Sequence, residues 1–169
     1  MTARIGARNE NVTVDRVREL FSYDPENGEM VYKIDAFRVK ARTVVNVLKR
    51  EITVEGVRHQ LADIVWLHYY GVWPTNCVDH ENRRINDISI NNLRKATHSQ
   101  NQYNKVSPNS HGYKGVTWRN RAQNPWLAKI RVDGKRINLG SFPTKELAAK
   151  AYAEACLKYH GEFANLEVK

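Results

Sequence analysis

Apolar positions at Val14, Val17, Leu20 and Phe21 follow a polar arm with helical spacing and predict a short helix near the N-terminus. The turn sequence Asp24-Pro25-Glu26-Asn27-Gly28 then leads into a strand-like Met30-Val31-Tyr32. Further strand-like stretches are expected at 43–48 and 52–57, the second closed by Glu55-Gly56. Over 61–72, Leu61, Ile64, Val65, Leu67, His68 and Tyr69 share one broad face. That pattern predicts a helix ending at Gly71, with Pro74 just beyond.

From 76 to 106 the apolar pattern thins and Asp, His and Asn become dense. A polar, turn-rich stretch, 107–111, reads as a linker. Beyond it the period changes to two. In the C-terminal part, Val116, Trp118, Trp126, Ala128, Ile130, Ile137 and Leu139 alternate with Thr117, Arg119, Leu127, Lys129, Arg131, Arg136 and Asn138. Such sorting predicts half-buried antiparallel strands, with Asp133-Gly134 as a two-residue hairpin turn. The helix expected over 144–159 offers Ala148, Ala151, Tyr152, Ala155 and Tyr159 as a stripe to cover one sheet face.

Charge adds a partner class. With 27 Lys+Arg against 18 Asp+Glu in 169 residues, the chain carries +9 and a pI near 9.7, which suits a polyanion. The two cysteines, Cys77 and Cys156, lack metal-ligand spacing, so zinc fingers are excluded and each reads as a small buried residue. No apolar run approaches the ~20 residues of a spanning helix. The start, Met1-Thr2-Ala3-Arg4, lacks a signal-peptide core. A cytoplasmic protein without a membrane partner is therefore expected.

The chemistry concentrates in Val78-Asp79-His80-Glu81-Asn82, Asn91-Asn92-Leu93-Arg94 and Thr97-His98-Ser99-Gln100-Asn101. A strand ending at Asp79 and His80, a polar loop over 81–91 and a returning strand from Leu93 are expected. Thr97 with Gln100 forms a capping box that opens a helix. Such a strand–loop–strand–helix unit can gather Asp79, His80, Asn92 and Asn101. Asp and Asn supply hard oxygen donors suited to Mg²⁺ or Mn²⁺, a neutral His can deprotonate water, and a second Asn can orient the imidazole. A merely turn-rich polar loop accommodates the same residues. On the residues alone both readings stay open.

This segment resembles the H-N-H (ββα-metal) endonucleases, particularly phage homing endonucleases with a D-H…N-L-R…N pattern. The likeness runs from about Leu20 to Asn104 and includes Phe21-Ser22-Tyr23-Asp24-Pro25 and Gly71-Val72-Trp73-Pro74. The resemblance implies His80 as general base, Asn92 as the residue that orients it, and Asp79 with Asn101 as ligands of one divalent metal. Where relatives often carry a His-Arg pair, this chain has Ala62 and Asp63.

The C-terminal part resembles the plant ethylene-response-factor (APETALA-type) DNA-binding domain. The matching residues are Gly112-Tyr113-Lys114-Gly115-Val116, Trp126-Leu127-Ala128-Lys129-Ile130-Arg131 and Gly134-Lys135-Arg136-Ile137-Asn138-Leu139-Gly140-Ser141-Phe142, with the alanine-rich helix after them. By that resemblance Lys114, Thr117, Arg119, Lys129, Arg131, Arg136 and Asn138 contact DNA. Thr117, Lys129 and Asn138 differ from the plant residues, so the plant sequence preference does not transfer.

The expected fold class is α+β: a ββα-metal nuclease module over 1–106, a linker over 107–111, and a three-stranded antiparallel sheet packed on one helix over 112–169. The expected function is metal-dependent endonucleolytic cleavage of double-stranded DNA, by a monomer or weak dimer. The alternatives are a sequence-specific DNA-binding regulator with a decayed nuclease module and, more distantly, an RNA-directed protein.

Overall fold

The computed structural model describes residues 11–36, 38–105 and 112–166. The expected linker, 107–111, lies outside them. The fold is α+β, and the chain divides into two compact units, Met1–Ala96 and Thr97–Lys169.

In the first unit, α1 (Val14–Leu20) is opened by Thr13, whose hydroxyl accepts from the Arg16 amide. It runs directly into the hairpin β1 (Phe21–Tyr23) and β2 (Met30–Tyr32). The 24–28 turn forms as the sequence predicts: Asp24 accepts from the amides of Glu26 and Asn27 and from the Asn27 side chain. The stretch 43–48 is not a strand. Val44 makes one isolated bridge to Val31, and Asn46 then turns the chain by accepting from the Leu48 and Lys49 amides through its side chain and carbonyl. The next hairpin pairs β3 (Glu51–Val54) with β4 (Val57–Gln60), with Glu55 and Gly56 both at positive φ. Helix α2 (Leu61–Tyr70) ends at a left-handed Gly71. Its first seven residues are buried, and Ile64, Val65 and Trp66 join Val17, Leu20, Phe21, Met30 and Ile88 in one core. Upon this core rests the antiparallel pair β5 (Cys77–His80) and β6 (Leu93–Ala96).

The second unit opens with α3 (His98–Asn104), and both bonds of the Thr97–Gln100 capping box are present. Three antiparallel strands follow: β7 (Val116–Trp118), β8 (Trp126–Val132) and β9 (Lys135–Phe142). Asp133 and Gly134 close the β8–β9 hairpin at positive φ, as expected. Helix α4 (Lys145–His160) packs across the sheet. Gly115 permits its close approach, because a Cβ there would meet the Tyr152 ring and the Lys129 carbonyl within 2.5 Å.

Two details of the expected alternation change. A bulge between Ala128 and Lys129 leaves Leu139 without a cross-strand partner in the register. Leu127 is buried although it alternates with Lys129 and Arg131, while Trp118, the last residue of its strand, is 47% exposed. On α4 the buried stripe is Ala148, Tyr152, Ala155, Cys156 and His160. Tyr159 is exposed, because positions 148, 152, 156 and 160 repeat every four residues and carry the stripe past it.

Candidate active site

The first unit brings Asp79, His80 and Asn92 together. Asp79 and His80 are the last two residues of β5, opposite Arg94 and Leu93 of β6. Alternation along β5 sends their side chains to opposite faces. Asp79 is 5% exposed, and its Oδ2 accepts from Arg94 Nε at 3.1 Å. His80 is half-buried. Burial holds its imidazole below the ordinary histidine value; Asp79 and Asp87 pull the other way, and Arg50 lowers it further. The group therefore stands neutral near pH 7, as a proton acceptor must.

Asn92 ends a single 3₁₀ turn, Ile90–Asn92, that leads into β6. Its side-chain amide is bonded within the loop that leaves His80. Oδ1 accepts from the Asn82 amide at 2.9 Å, and Nδ2 donates to the Asp87 carbonyl at 2.7 Å. Asn92 thus closes the loop that leaves His80, helped by the Glu81 amide on the Asn92 carbonyl at 2.9 Å. Asp87 adds a second tie. Its carboxylate accepts from the Ser89 hydroxyl and the Asn82 side chain at 2.6 Å each, and the Ser89 bond is the main cause that lowers its pKa.

The loop is also braced from the N-terminal hairpin. Tyr23 donates its hydroxyl to the Ile88 carbonyl at 2.6 Å, and the Ile90 amide donates to the Pro25 carbonyl. Ile88 is 1% exposed, a burial that contributes about 1.5–3 kcal/mol. Gly28 sits so close that a Cβ would lie 2.6 Å from the Ser89 nitrogen. Sequence reasoning missed this brace, along with Asp87 and the pairing of Arg94 with Asp79. Pairing β5 with β6 on paper would have placed Arg94 opposite Asp79.

Asn101 is carried by α3 in the second unit, where it is half-exposed. Among the described residues no three or more His, Cys, Asp or Glu side chains cluster as a metal site. The donor chemistry nevertheless fits a hard cation. Mg²⁺ keeps several waters and asks the protein for only one or two oxygen donors, and Asp79 supplies an anionic one.

Residues 62–103 match the family model described as HNH endonuclease. Protein 3.8 of Escherichia phage T7 is 31% identical over 90 residues, which cover 52% of this chain and 72% of that protein. The chain belongs to the Protein 3.8 family. In this Protein 3.8 relative the HNH endonuclease segment begins at Ala62 and ends at Tyr103, taking in Asp79, His80, Asn92 and Asn101. No solved structure matches the chain.

In the second unit, Thr117, Arg119, Lys129, Arg131 and Arg136 line one open concavity on the sheet. Cross-strand pairing sets Arg131 against Arg136 and Lys129 against Asn138. Thr117, Arg119, Arg131, Arg136 and Asn138 are exposed, and Lys129 is half-buried. Lys114 is placed differently: its ammonium donates to the carbonyls of Tyr103 and Lys105 at the end of α3. No helix among the described residues is long and apolar enough to cross a membrane.

Proposed function

We propose that the chain is a metal-dependent endonuclease that hydrolyses phosphodiester bonds in double-stranded DNA, of the homing-endonuclease kind, acting in a host-cell cytoplasm. The observation that carries this reading is the Asn92 amide bridge, which fixes the loop leaving a neutral His80 beside Asp79. His80 takes the proton of a water as that water's oxygen attacks phosphorus. The bond from phosphorus to the 3′-oxygen breaks in line, that oxygen leaves with the bonding pair and takes a proton from solvent water, and the products carry a 5′-phosphate and a 3′-hydroxyl. Asp79 and Asn101 would hold one Mg²⁺ or Mn²⁺, which supplies charge stabilisation at the phosphate and the leaving oxygen. Asn92 acts on His80 through the loop backbone.

The second unit is read as the DNA-positioning domain of the ethylene-response-factor type. Two neighbouring strands offering Arg131, Arg136, Lys129 and Asn138 on one open face suit a β-sheet entering the major groove. Arg119 and Thr117 extend that face, and Lys114 supports it from the side of α3.

A DNA-binding regulator that no longer cuts is the second reading. Ala62 and Asp63 favour it, since both are buried on α2 where related endonucleases often carry His-Arg. Incubation of the full chain with supercoiled plasmid and Mg²⁺ or Mn²⁺ separates the two. Nicked or linear product that disappears with chelator supports the nuclease; intact plasmid under saturating protein supports the regulator.

A further inference from the structure

We infer that Tyr103 is a positioning residue that joins helix α3, and with it Asn101, to the basic sheet as one rigid piece. The inference rests on the reading of Asn101 as a metal-holding residue. Helix α3 has seven residues, about two turns, too few to persist without tertiary support. Its capping box secures only the N-terminal end.

The support comes from the second unit. The Tyr103 ring lies flat on the His160 imidazole, with centroids 3.7 Å apart and planes 6° from parallel. Its hydroxyl accepts from the Asp133 amide at 2.6 Å and donates to Asp133 Oδ1 at 3.1 Å. Asp133 is the first residue of the β8–β9 turn and stands at φ +46°, where the Tyr103 hydroxyl bonds both its amide and its carboxylate. His160 is itself fixed to the sheet, its Nε2 lying 2.9 Å from the Arg131 carbonyl. Arg131 presents its side chain on the basic face beside Arg136. Tyr103 is therefore bonded to the hairpin turn and stacked on the group that anchors the central strand.

The C-terminal end of α3 is tied as well. Lys114 Nζ donates to the carbonyls of Tyr103 and Lys105, and Asn165 Nδ2 donates to the Asn104 carbonyl at 2.8 Å. Asn104 and Asn165 are both buried. Asn101 precedes Tyr103 by two residues, about 200° around the helix, so its amide faces away from the surface that Tyr103 seals. It is half-exposed, while Tyr103 is 7% exposed. The helix thus has one face welded to the sheet domain and the opposite face presenting Asn101.

The consequence is that binding of duplex by the sheet also fixes where Asn101 stands relative to that duplex. The test uses the full chain and three variants: Tyr103→Leu, which removes the stack and the hydroxyl; Tyr103→Phe, which removes only the hydroxyl; and Asn101→Ala. Amide hydrogen exchange over 98–104 is followed without metal, and the Mn²⁺ needed for half-maximal cleavage and the duplex affinity are measured in parallel. Tyr103→Leu is expected to speed exchange over 98–104 about tenfold or more. It should also raise the Mn²⁺ requirement several-fold with duplex affinity within about twofold of the parent, and Tyr103→Phe should lie between. Should Tyr103→Leu fail to fold, Tyr103→Phe carries the test with the same directions. Unchanged exchange over 98–104 overturns the proposal, because α3 is then held by other means. Faster exchange with an unchanged Mn²⁺ requirement also overturns it, and Asn101→Ala tells why. If that variant raises the requirement, the Tyr103 link is at fault; if it does not, the reading of Asn101 is.

Discussion

Arg94 Nε lies 3.1 Å from Asp79 Oδ2, between residues that stand directly opposite each other in the β5–β6 ladder. Their side chains are 15% and 5% exposed. Removing one partner of so buried a pair is costly, since the remaining charge keeps its desolvation penalty. Arg94→Met is predicted to lower stability by about 3 kcal/mol, measured by urea unfolding without metal. A divalent ion on Asp79 would replace the lost positive charge. Added Mg²⁺ should therefore raise the melting temperature of Arg94→Met more than that of the parent chain; equal shifts would mean that the ion does not use Asp79.

Asn92 makes the loop prediction. Asn92→Ala leaves the Asn82 amide and the Asp87 carbonyl without their side-chain partner, at about 1–3 kcal/mol for each group that water does not reach. Amide exchange over 82–88 should accelerate while that over Leu61–Tyr70 stays unchanged. Asn92→Asp keeps the acceptor, loses the donor, and should fall between. Exchange in Asn92→Ala equal to that of the parent would show that the bridge does not hold the loop.

Acid should weaken the first unit through His59. This imidazole is 4% exposed, stacks on Trp73 with centroids 5.5 Å apart, and is held below the ordinary histidine value by burial, with Asp63 opposing. The unfolded chain then takes up the proton first. Stability is full above about pH 6.5 and is lost as the pH falls from there towards the lower folded value. His68 and His160 are shifted in the same direction, again chiefly by burial. His59→Phe should make the stability–pH curve flatter between pH 7 and 5. A curve of unchanged slope would assign the acid sensitivity to the other shifted histidines, His68, His80 and His160.

The elements around the candidate site and the sheet were largely legible in the sequence, because they are written in local signals. The Thr97 capping box, the Asp133-Gly134 turn, the Gly71 helix stop and the strand ending at His80 all stand where those signals place them. Part of what escaped depends on residues distant in sequence. Tyr23 and Gly28 brace a loop sixty residues further on, and Tyr103 bonds to Asp133 rather than to its own segment. The stretch 43–48 carries β-branched residues yet becomes turns, since Asn46 offers its side chain to the backbone. On α4, a four-residue repeat buried Cys156 and His160 and left Tyr159 outside.

On the sheet, Arg131→Ala and Arg136→Ala are predicted to separate positioning from reading. A phosphate-contacting arginine lowers the salt dependence of duplex binding by about one unit when lost, equally for all sequences. A base-reading arginine costs about 1–3 kcal/mol and relaxes preference at one position. At least one of the two should behave as a reader. Competition binding of the full chain against random duplexes, at two salt concentrations, measures both quantities. If both variants bind as the parent does, the duplex is held elsewhere.

His80 as the base is tested most directly by comparing plasmid cleavage by the parent chain and by His80→Ala at saturating Mn²⁺, with duplex affinity measured in the same samples. The predicted result is a loss of cleavage of about 10²–10⁴-fold with affinity within about twofold. Cleavage by His80→Ala at the parent rate would contradict the assignment of the H-N-H chemistry to this site.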